Sequence, residues 1–366
     1  MEETLQLKKI SCSNCGAELI FDPSTQMTNC NFCGSKFEIE QATNEEVLSP
    51  DCIVPFKTTK EEYHQAVLRW LSEGDYTPDD ILTSSAFEEI NGIFLPMYFF
   101  KGNYHGHWNA SSGYTKTETV WRYSSSEKKN VQESKTVTDW RPSNGQVVGK
   151  FAILGFAGVG ESIKPEIIAF VHETHFEKES LKSYDSKYTL GFNLLKFNLD
   201  EENVWGSVGV AQADSLSTSE IQKRIPGDKF KDLSSDVSYD REETIKAYIP
   251  CWIVNYKYAD KEFYVCMDGI KSSRICGERP IDKGRKSRVK KFFLPSHIVL
   301  VVWLAVWLFY AFNESEGIAW PVFGIGLGVV TLLYIISFRR KKLLLKASKL
   351  SREKILKSMA SDESGS

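Results

Sequence analysis

Two apolar runs dominate the pattern of the chain. Residues 292–312 and 318–338 are each 21 residues long and carry no charged side chain. A helix of about 20 apolar residues crosses the hydrocarbon core of a bilayer, so the pattern predicts two spans joined by the polar Asn313–Gly317. Elsewhere the periods are those of a globular chain. Tyr63, Ala66, Val67, Trp70 and Leu71 share one helical face, which predicts a helix from Lys60 to Leu71, capped by Thr58 or Thr59 and stopped by Gly74. Runs rich in Thr, Val, Tyr and Trp at 115–123 and 131–140 predict strands. Phe263–Met267 is another, turned back by Asp268-Gly269 into a second strand over Ser272–Cys276. Shorter strands are expected at Cys52–Phe56, Ala17–Phe21 and Phe37–Ile39, and helices over 166–182 and 217–224.

One pattern occurs twice. Ile93-Phe-Leu-Pro96-Met-Tyr98 is echoed by Ala247-Tyr-Ile-Pro250-Cys-Trp252, with Tyr104 and Tyr258 each eight residues after the proline. Proline near a strand start, followed by alternating aromatics, suggests the edge of an antiparallel sheet and an internal structural repeat.

These elements predict an α+β protein: an N-terminal zinc ribbon (8–40), a linker (41–51), a mostly antiparallel β-sheet central domain (52–282), a two-helix transmembrane hairpin (292–338) and a basic tail (339–366). Composition agrees. Of the 366 residues 42% are hydrophobic and 25% charged, and the mean hydropathy of −0.29 averages over a strongly apolar C-terminal stretch.

Charge is divided just as unevenly. From Lys283 onward there are 15 Lys/Arg and 5 Asp/Glu, which leaves 30 basic against 43 acidic side chains before it, a balance of −13. An acidic soluble part repels phosphate backbones and argues against nucleic-acid binding. Basic residues flank both apolar runs (Lys283, Arg285, Lys286, Arg288, Lys290, Lys291 before; Arg339, Arg340, Lys341, Lys342 after). The positive-inside rule then places both termini in the cytosol, in a cell membrane crossed twice. No apolar secretory core opens the chain. Leu343–Met359 reads as a basic amphipathic helix suited to anionic lipids. Gly324-x3-Gly328, with Gly326 between, offers a smooth face for helix contact.

The cysteines carry the most specific motif. Cys12-x2-Cys15-Gly and Cys30-x2-Cys33-Gly, with fourteen residues between them, form two knuckles that supply four thiolates for a closed, structural tetrahedral zinc. Such a site has no open position for catalysis. Other constellations fail on chemistry. Gly155–Ser162 has glycine spacing like a phosphate loop, but Glu161 stands where lysine is needed. His105-x-His107 and His172-x2-His175 lack the pattern of a zinc protease. For Cys251, Cys266 and Cys276 a cluster in the sheet is one reading, and the favoured one is simply buried apolar cysteines.

The ribbon, IVPFKTTKEEYHQAVLRWL, GIFLPMYFF, TDWRPSNG and IPCWIVNYKYADKEFYVCMDG together resemble a bacterial family of transcription-factor-IIB-type zinc-ribbon membrane proteins, often likened to the replication-restart helicase through the zinc cysteines. Helicase motifs are not visible, so that activity does not carry over. Similar ribbon-plus-two-span proteins look like membrane partners of phage-shock-protein-A-like and flotillin-like (SPFH) proteins in envelope stress. The resemblance implies zinc on Cys12, Cys15, Cys30 and Cys33 and no catalytic residue. The expected function is a non-enzymatic, membrane-anchored adaptor recruiting cytosolic proteins. The alternative is a membrane-tethered nucleic-acid accessory factor.

Overall fold

The computed structural model describes residues 4–14, 16–21, 30, 35, 42–87, 90–124, 129–158, 163–174, 180–312 and 316–364. In chain order these form β1 (Thr4–Ser11), β2 (Glu18–Phe21), β3 (Thr43–Leu48), β4 (Cys52–Ile53), α1 (Lys60–Glu73), α2 (Ile81–Ser84), β5 (Ala86–Phe87), β6 (Asn91–Ser124) and β7 (Lys129–Phe156). There follow α3 (Pro165–His172), β8 (Lys182–Ser183), β9 (Asn193–Leu195), α4 (Glu201–Val204), α5 (Val210–Arg224), β10 (Lys229–Tyr258), β11 (Lys261–Asp268), β12 (Ile275–Gly277), α6 (Lys283–Phe312) and α7 (Glu316–Ser364). The protein is α+β with a large, mostly antiparallel sheet. The chain divides into two compact units: Met1–Cys30, Lys36–Phe56 and Ile93–Pro250 in one, Asn31–Ser35, Lys57–Gly92 and Cys251–Ser366 in the other.

In the first unit β6 is the spine. It runs antiparallel to β7 from Met97 opposite Phe156 out to Ser124 opposite Lys129. On its other side it pairs antiparallel with β10 from Phe94 opposite Pro250 to Gly113 opposite Lys229. At its start it pairs parallel with β9, which leads through β2 and β1 to β3. Successive side chains alternate between faces, so Phe94, Tyr98, Phe100, Tyr104 and Trp108 line one side of β6 and are all buried. Val204, Ala213 and Ile221 of the α4–α5 segment join the same core. Glycines on β7 make room for the larger rings: a Cβ on Gly149 would lie 2.3 Å from Tyr104 Cζ, and one on Gly145 2.7 Å from Trp108 Cζ2.

The two copies of the sequence echo pair with one another. Phe94 pairs with Pro250, and Tyr248, the counterpart of Phe94, pairs with Pro96, so the two copies face each other about a local two-fold. The expected edge position is corrected. Both prolines lie inside long strands, at points where the ladder changes partner. Beside Pro96, β9 ends at Phe94 and β7 begins at Met97. Next to Pro250, β4 pairs Ala247 and Tyr248 and β11 begins at Cys251. A residue without an N–H is tolerated in such a gap.

In the second unit α1 follows its prediction. Thr59 is the N-cap: its side chain accepts from Glu62 N–H, and Glu62 accepts from Thr59 N–H at 2.9 Å. The buried face of α1 includes Tyr63, Val67, Leu68 and Leu71. Tyr63 stacks on Trp252 with ring centroids 5.8 Å apart and donates to the Val265 carbonyl at 2.9 Å. The predicted hairpin is present, but its second strand is Ile275–Gly277 rather than Ser272–Cys276, paired to β11 with Cys266 opposite Cys276.

Several expectations shift. Part of the stretch read as a linker is strand β3, paired to β1. The helix expected over 166–182 is described only as α3, and the one at 217–224 begins earlier, with a π-helical turn at Trp205–Gly209 between α4 and α5. Phe37–Ile39 lies outside the described residues. The strands at 115–123 and 131–140 are parts of one long hairpin, β6–β7, on which Trp121 and Tyr123 are exposed.

Candidate functional site

Among the described residues one helical segment, Lys283–Phe309, is long and apolar enough to cross a membrane, where the sequence pattern predicts two. Its large apolar side chains point away from the protein: Leu294, Ile298, Val301, Val302 and Phe309 are all exposed. Those of α7 do likewise at Ile325, Leu332 and Phe338. The two helices are antiparallel neighbours. Tyr334 lies 6.2 Å from the Phe293 ring and 5.6 Å from His297, and Ser337 Oγ donates to the Phe292 carbonyl at 2.6 Å. Several polar side chains in these stretches bond to backbone carbonyls of the pair. Ser296 donates to Phe293 O at 2.7 Å, Thr331 donates to Leu327 O at 2.7 Å, and His297 Nδ1 lies 2.6 Å from Phe293 O. A segment in hydrocarbon needs that arrangement, because lipid offers no partners.

The glycine face differs from its expected form. Gly326 alone of the three is packed, with Trp303 Cδ1 1.7 Å from where a Cβ would stand. Gly324 and Gly328 have no described atom within 4 Å of that position.

Beyond the apolar run α7 continues unbroken to Ser364, so the tail is the end of a 49-residue helix. Arg352 is turned inward and fully buried. It donates to the carbonyls of Ser72 (2.8 Å), Gly74 (2.6 Å) and Thr77 (2.6 Å) and to Ser348 Oγ (2.6 Å). Arg285, also buried, donates to Thr77 O at 2.6 Å and pairs with Asp79 at 2.7 Å. Asp79 also meets Arg352 at 3.3 Å and hydrogen-bonds Ser348. This clamp gathers the carbonyls at the end of α1, where helix geometry leaves acceptors unpaired, onto two cations. Sequence reading missed it. The available signal was Arg352 itself, a charge in register with Ser348 and Leu345 on the inward stripe of an amphipathic helix. Along the same helix Phe338, Lys341, Lys342, Leu345, Lys346 and Lys349 line a cleft of about 440 Å³ together with Asp75.

Of the four ribbon cysteines, Cys12 and Cys30 are described and buried, while Cys15 and Cys33 lie outside the described residues. The backbone turns back tightly after Cys12: Gly16 N–H donates to Cys12 O at 2.9 Å, Cys12 N–H donates to Ala17 O at 2.8 Å, and Gly16 has φ +76°. The residues in view therefore fit a thiolate knuckle. Among the described residues no three His, Cys, Asp or Glu side chains gather as a metal-binding group.

The remaining candidates resolve into structure. His172 Nε2 accepts from Phe156 N–H at 3.0 Å, and burial lowers its pKa below the ordinary histidine value. It borders a cavity of about 760 Å³ with Phe99, Leu154 and Gln212, whose Nε2 donates to Leu154 O at 3.2 Å. His175 lies outside the described residues. His105 is exposed, 3.3 Å from Asp240, and His107 follows it on the same face of β6. Gly155 of the phosphate-loop-like run lies inside β7, where a Cβ would be 2.4 Å from Val204 Cγ1; residues 159–162 of that run lie outside the described residues. Cys251 and Cys266 do meet, with sulfurs 3.0 Å apart.

No family model matches the chain. Among curated proteins it is similar to one of Bacillus subtilis (strain 168) described as uncharacterized protein YdjG, with 23% identity over 334 residues, covering 75% of this chain and 90% of that protein. No solved structure matches.

Proposed function

We propose that this protein is a membrane-anchored, non-enzymatic adaptor. The observation that carries the reading is the α6–α7 pair: apolar side chains outward, the Ser296, Thr331 and Ser337 hydroxyls closed on backbone carbonyls, basic residues at both ends. In this reading α6 and the first part of α7 cross the bilayer as two spans, with Asn313–Gly317 outside and both termini in the cytosol. Cys12, Cys15, Cys30 and Cys33 hold a structural zinc, which fixes the N-terminal sheet as a docking surface for cytosolic protein. The lysines of the α7 cleft face phosphates of anionic lipid, with Phe338 beside the acyl region. The resemblance to ribbon proteins that partner phage-shock-protein-A-like or SPFH proteins supplies candidates for the recruited partner. The acidic balance of the soluble part disfavours the nucleic-acid alternative.

The test combines topology with recruitment. In inside-out vesicles washed with alkaline carbonate, the protein stays with the membrane, and protease removes tags at both termini while sparing one in Asn313–Gly317. Release by carbonate, or a protected terminus, refutes the two-span reading. Purification in mild detergent recovers a defined cytosolic partner that is lost on Cys12→Ser. Recovery of nucleic acid instead refutes the adaptor reading.

A further inference from the structure

Three of the cysteines outside the ribbon stand on three adjacent strands of the second unit. Cys251 lies at the start of the β11-paired part of β10, Cys266 on β11 and Cys276 on β12. The Cys251 and Cys266 thiols share a hydrogen bond at 3.0 Å, and Cys266 is also hydrogen-bonded by Cys276, its direct cross-strand partner. Cys266 therefore sits between two thiols that approach it from opposite sides of its strand. Exposure is graded along the row. Cys276 is half-buried, Cys266 is 0% exposed and Cys251 is 1% exposed. A disulfide needs sulfurs about 2.05 Å apart, so the inner pair requires only about 1 Å of further approach.

We infer that Cys276, Cys266 and Cys251 form a thiol relay that carries oxidation from the surface into the sheet and stores it as a buried Cys251–Cys266 disulfide. The oxidant class is a peroxide. Cys276 takes one oxygen from hydrogen peroxide and becomes a sulfenic acid, releasing one water. The Cys266 sulfur attacks the Cys276 sulfur and displaces hydroxide, which leaves as a second water with the Cys266 proton. Cys251 then attacks Cys266 from the side opposite Cys276, forming the inner disulfide, and its proton passes to the departing Cys276 thiolate. In sum two thiols become one disulfide and one peroxide becomes two waters. Entry at Cys276 follows from the geometry, since Cys266 and Cys251 are buried and Cys276 alone of the three is open to an oxidant from solvent. The step from outer to inner disulfide needs the in-line approach that adjacent strands on either side of β11 provide.

Each thiol lies on its own tryptic peptide: 247–257, 262–271 and 275–283. The full-length protein, reduced and zinc-loaded in detergent, is exposed to hydrogen peroxide, quenched with an alkylating agent over a time course, digested and read by mass spectrometry. The 262–271/275–283 pair appears first and gives way to 247–257/262–271. Cys276→Ser slows formation of the inner pair about tenfold or more, because the remaining thiols are buried. Cys251→Ser halts the chain at the outer pair, which also shows that the variant sheet is folded. Three results each overturn the relay: an inner pair that forms equally fast in Cys276→Ser, absence of both pairs while the half-buried Cys52 is oxidised, or a metal found on these peptides that protects all three.

Discussion

Arg352 and Arg285 converge on one carbonyl: each donates from Nη1 to Thr77 O at 2.6 Å, and both reach Asp79. The two arginines belong to different helices, so this acceptor ties the start of α6 and the far end of α7 to the loop after α1. Of the two, Arg352 also donates to the carbonyls of Ser72 and Gly74. Replacing it with methionine keeps the aliphatic stem and removes the charged donors from these carbonyls, and a buried acceptor left unsatisfied costs about 1–3 kcal/mol. Arg352→Met is expected to release the last turns of α7, seen as hydrogen exchange over 343–364 rising far above that of 60–73. Arg352→Lys should fail nearly as badly, since one ammonium cannot span three carbonyls. Unchanged exchange in both variants refutes the clamp.

Gly326 packs against the Trp303 indole where the two apolar helices meet. A side chain at 326 would stand 1.7 Å from the indole, so Gly326→Leu should force the pair apart, at about 1–3 kcal/mol or more for overpacking. Gly324→Leu and Gly328→Leu should be close to neutral for the monomer. Thermal unfolding in detergent separates these outcomes. Trp303→Ala should partly rescue Gly326→Leu, and a lack of rescue would place the packing elsewhere.

Local features were legible in the sequence, and distant convergence was not. The Lys60–Leu71 periodicity gave α1 because Thr59, Glu62 and the Tyr63–Leu71 stripe all act within a few residues. Asp268-Gly269 likewise announced β11–β12. The Pro96/Pro250 echo was visible, but its meaning was not: a missing N–H suits an edge or a gap between partner strands, and only the pairing shows which. The clamp joins Asp79 to a residue 273 positions away, and no local rule links them. The meeting of Cys251 with Cys266 was within reach of pattern, whereas the approach of Cys276 from the far side of β11 depended on the register of a three-residue strand.

The zinc reading makes a stoichiometric prediction. Four thiolates in two knuckles hold about one zinc per chain, and small units of this kind lean on the metal for their fold. Metal analysis of protein purified without added zinc should find it, and Cys12→Ser should lose it. A strong chelator should then make the segment 4–48 sensitive to protease while α1 and α7 stay protected. Full resistance of 4–48 in metal-stripped protein would show that the sheet of β1, β2, β3 and β9 holds without zinc.

His172 makes the stability of the first unit depend on pH. Its Nε2 must be unprotonated to accept from Phe156 N–H, and burial lowers its folded pKa below the unfolded value of about 6.5. As pH falls below that value, the unfolded chain takes up a proton before the folded one does. The contribution is therefore complete above about 6.5 and is lost as pH drops toward the folded pKa, with a slope of at most about 1.4 kcal/mol per pH unit for one proton. His172→Gln retains an acceptor in the side-chain oxygen and removes the titration. Denaturant midpoints measured from about pH 7 down to about pH 5 should fall for the natural protein and change less for His172→Gln. The difference between the two curves isolates His172 from the carboxylates, which titrate lower. Parallel curves would mean that His172 is protonated alike in the folded and unfolded chain, and that the Phe156 N–H has another acceptor.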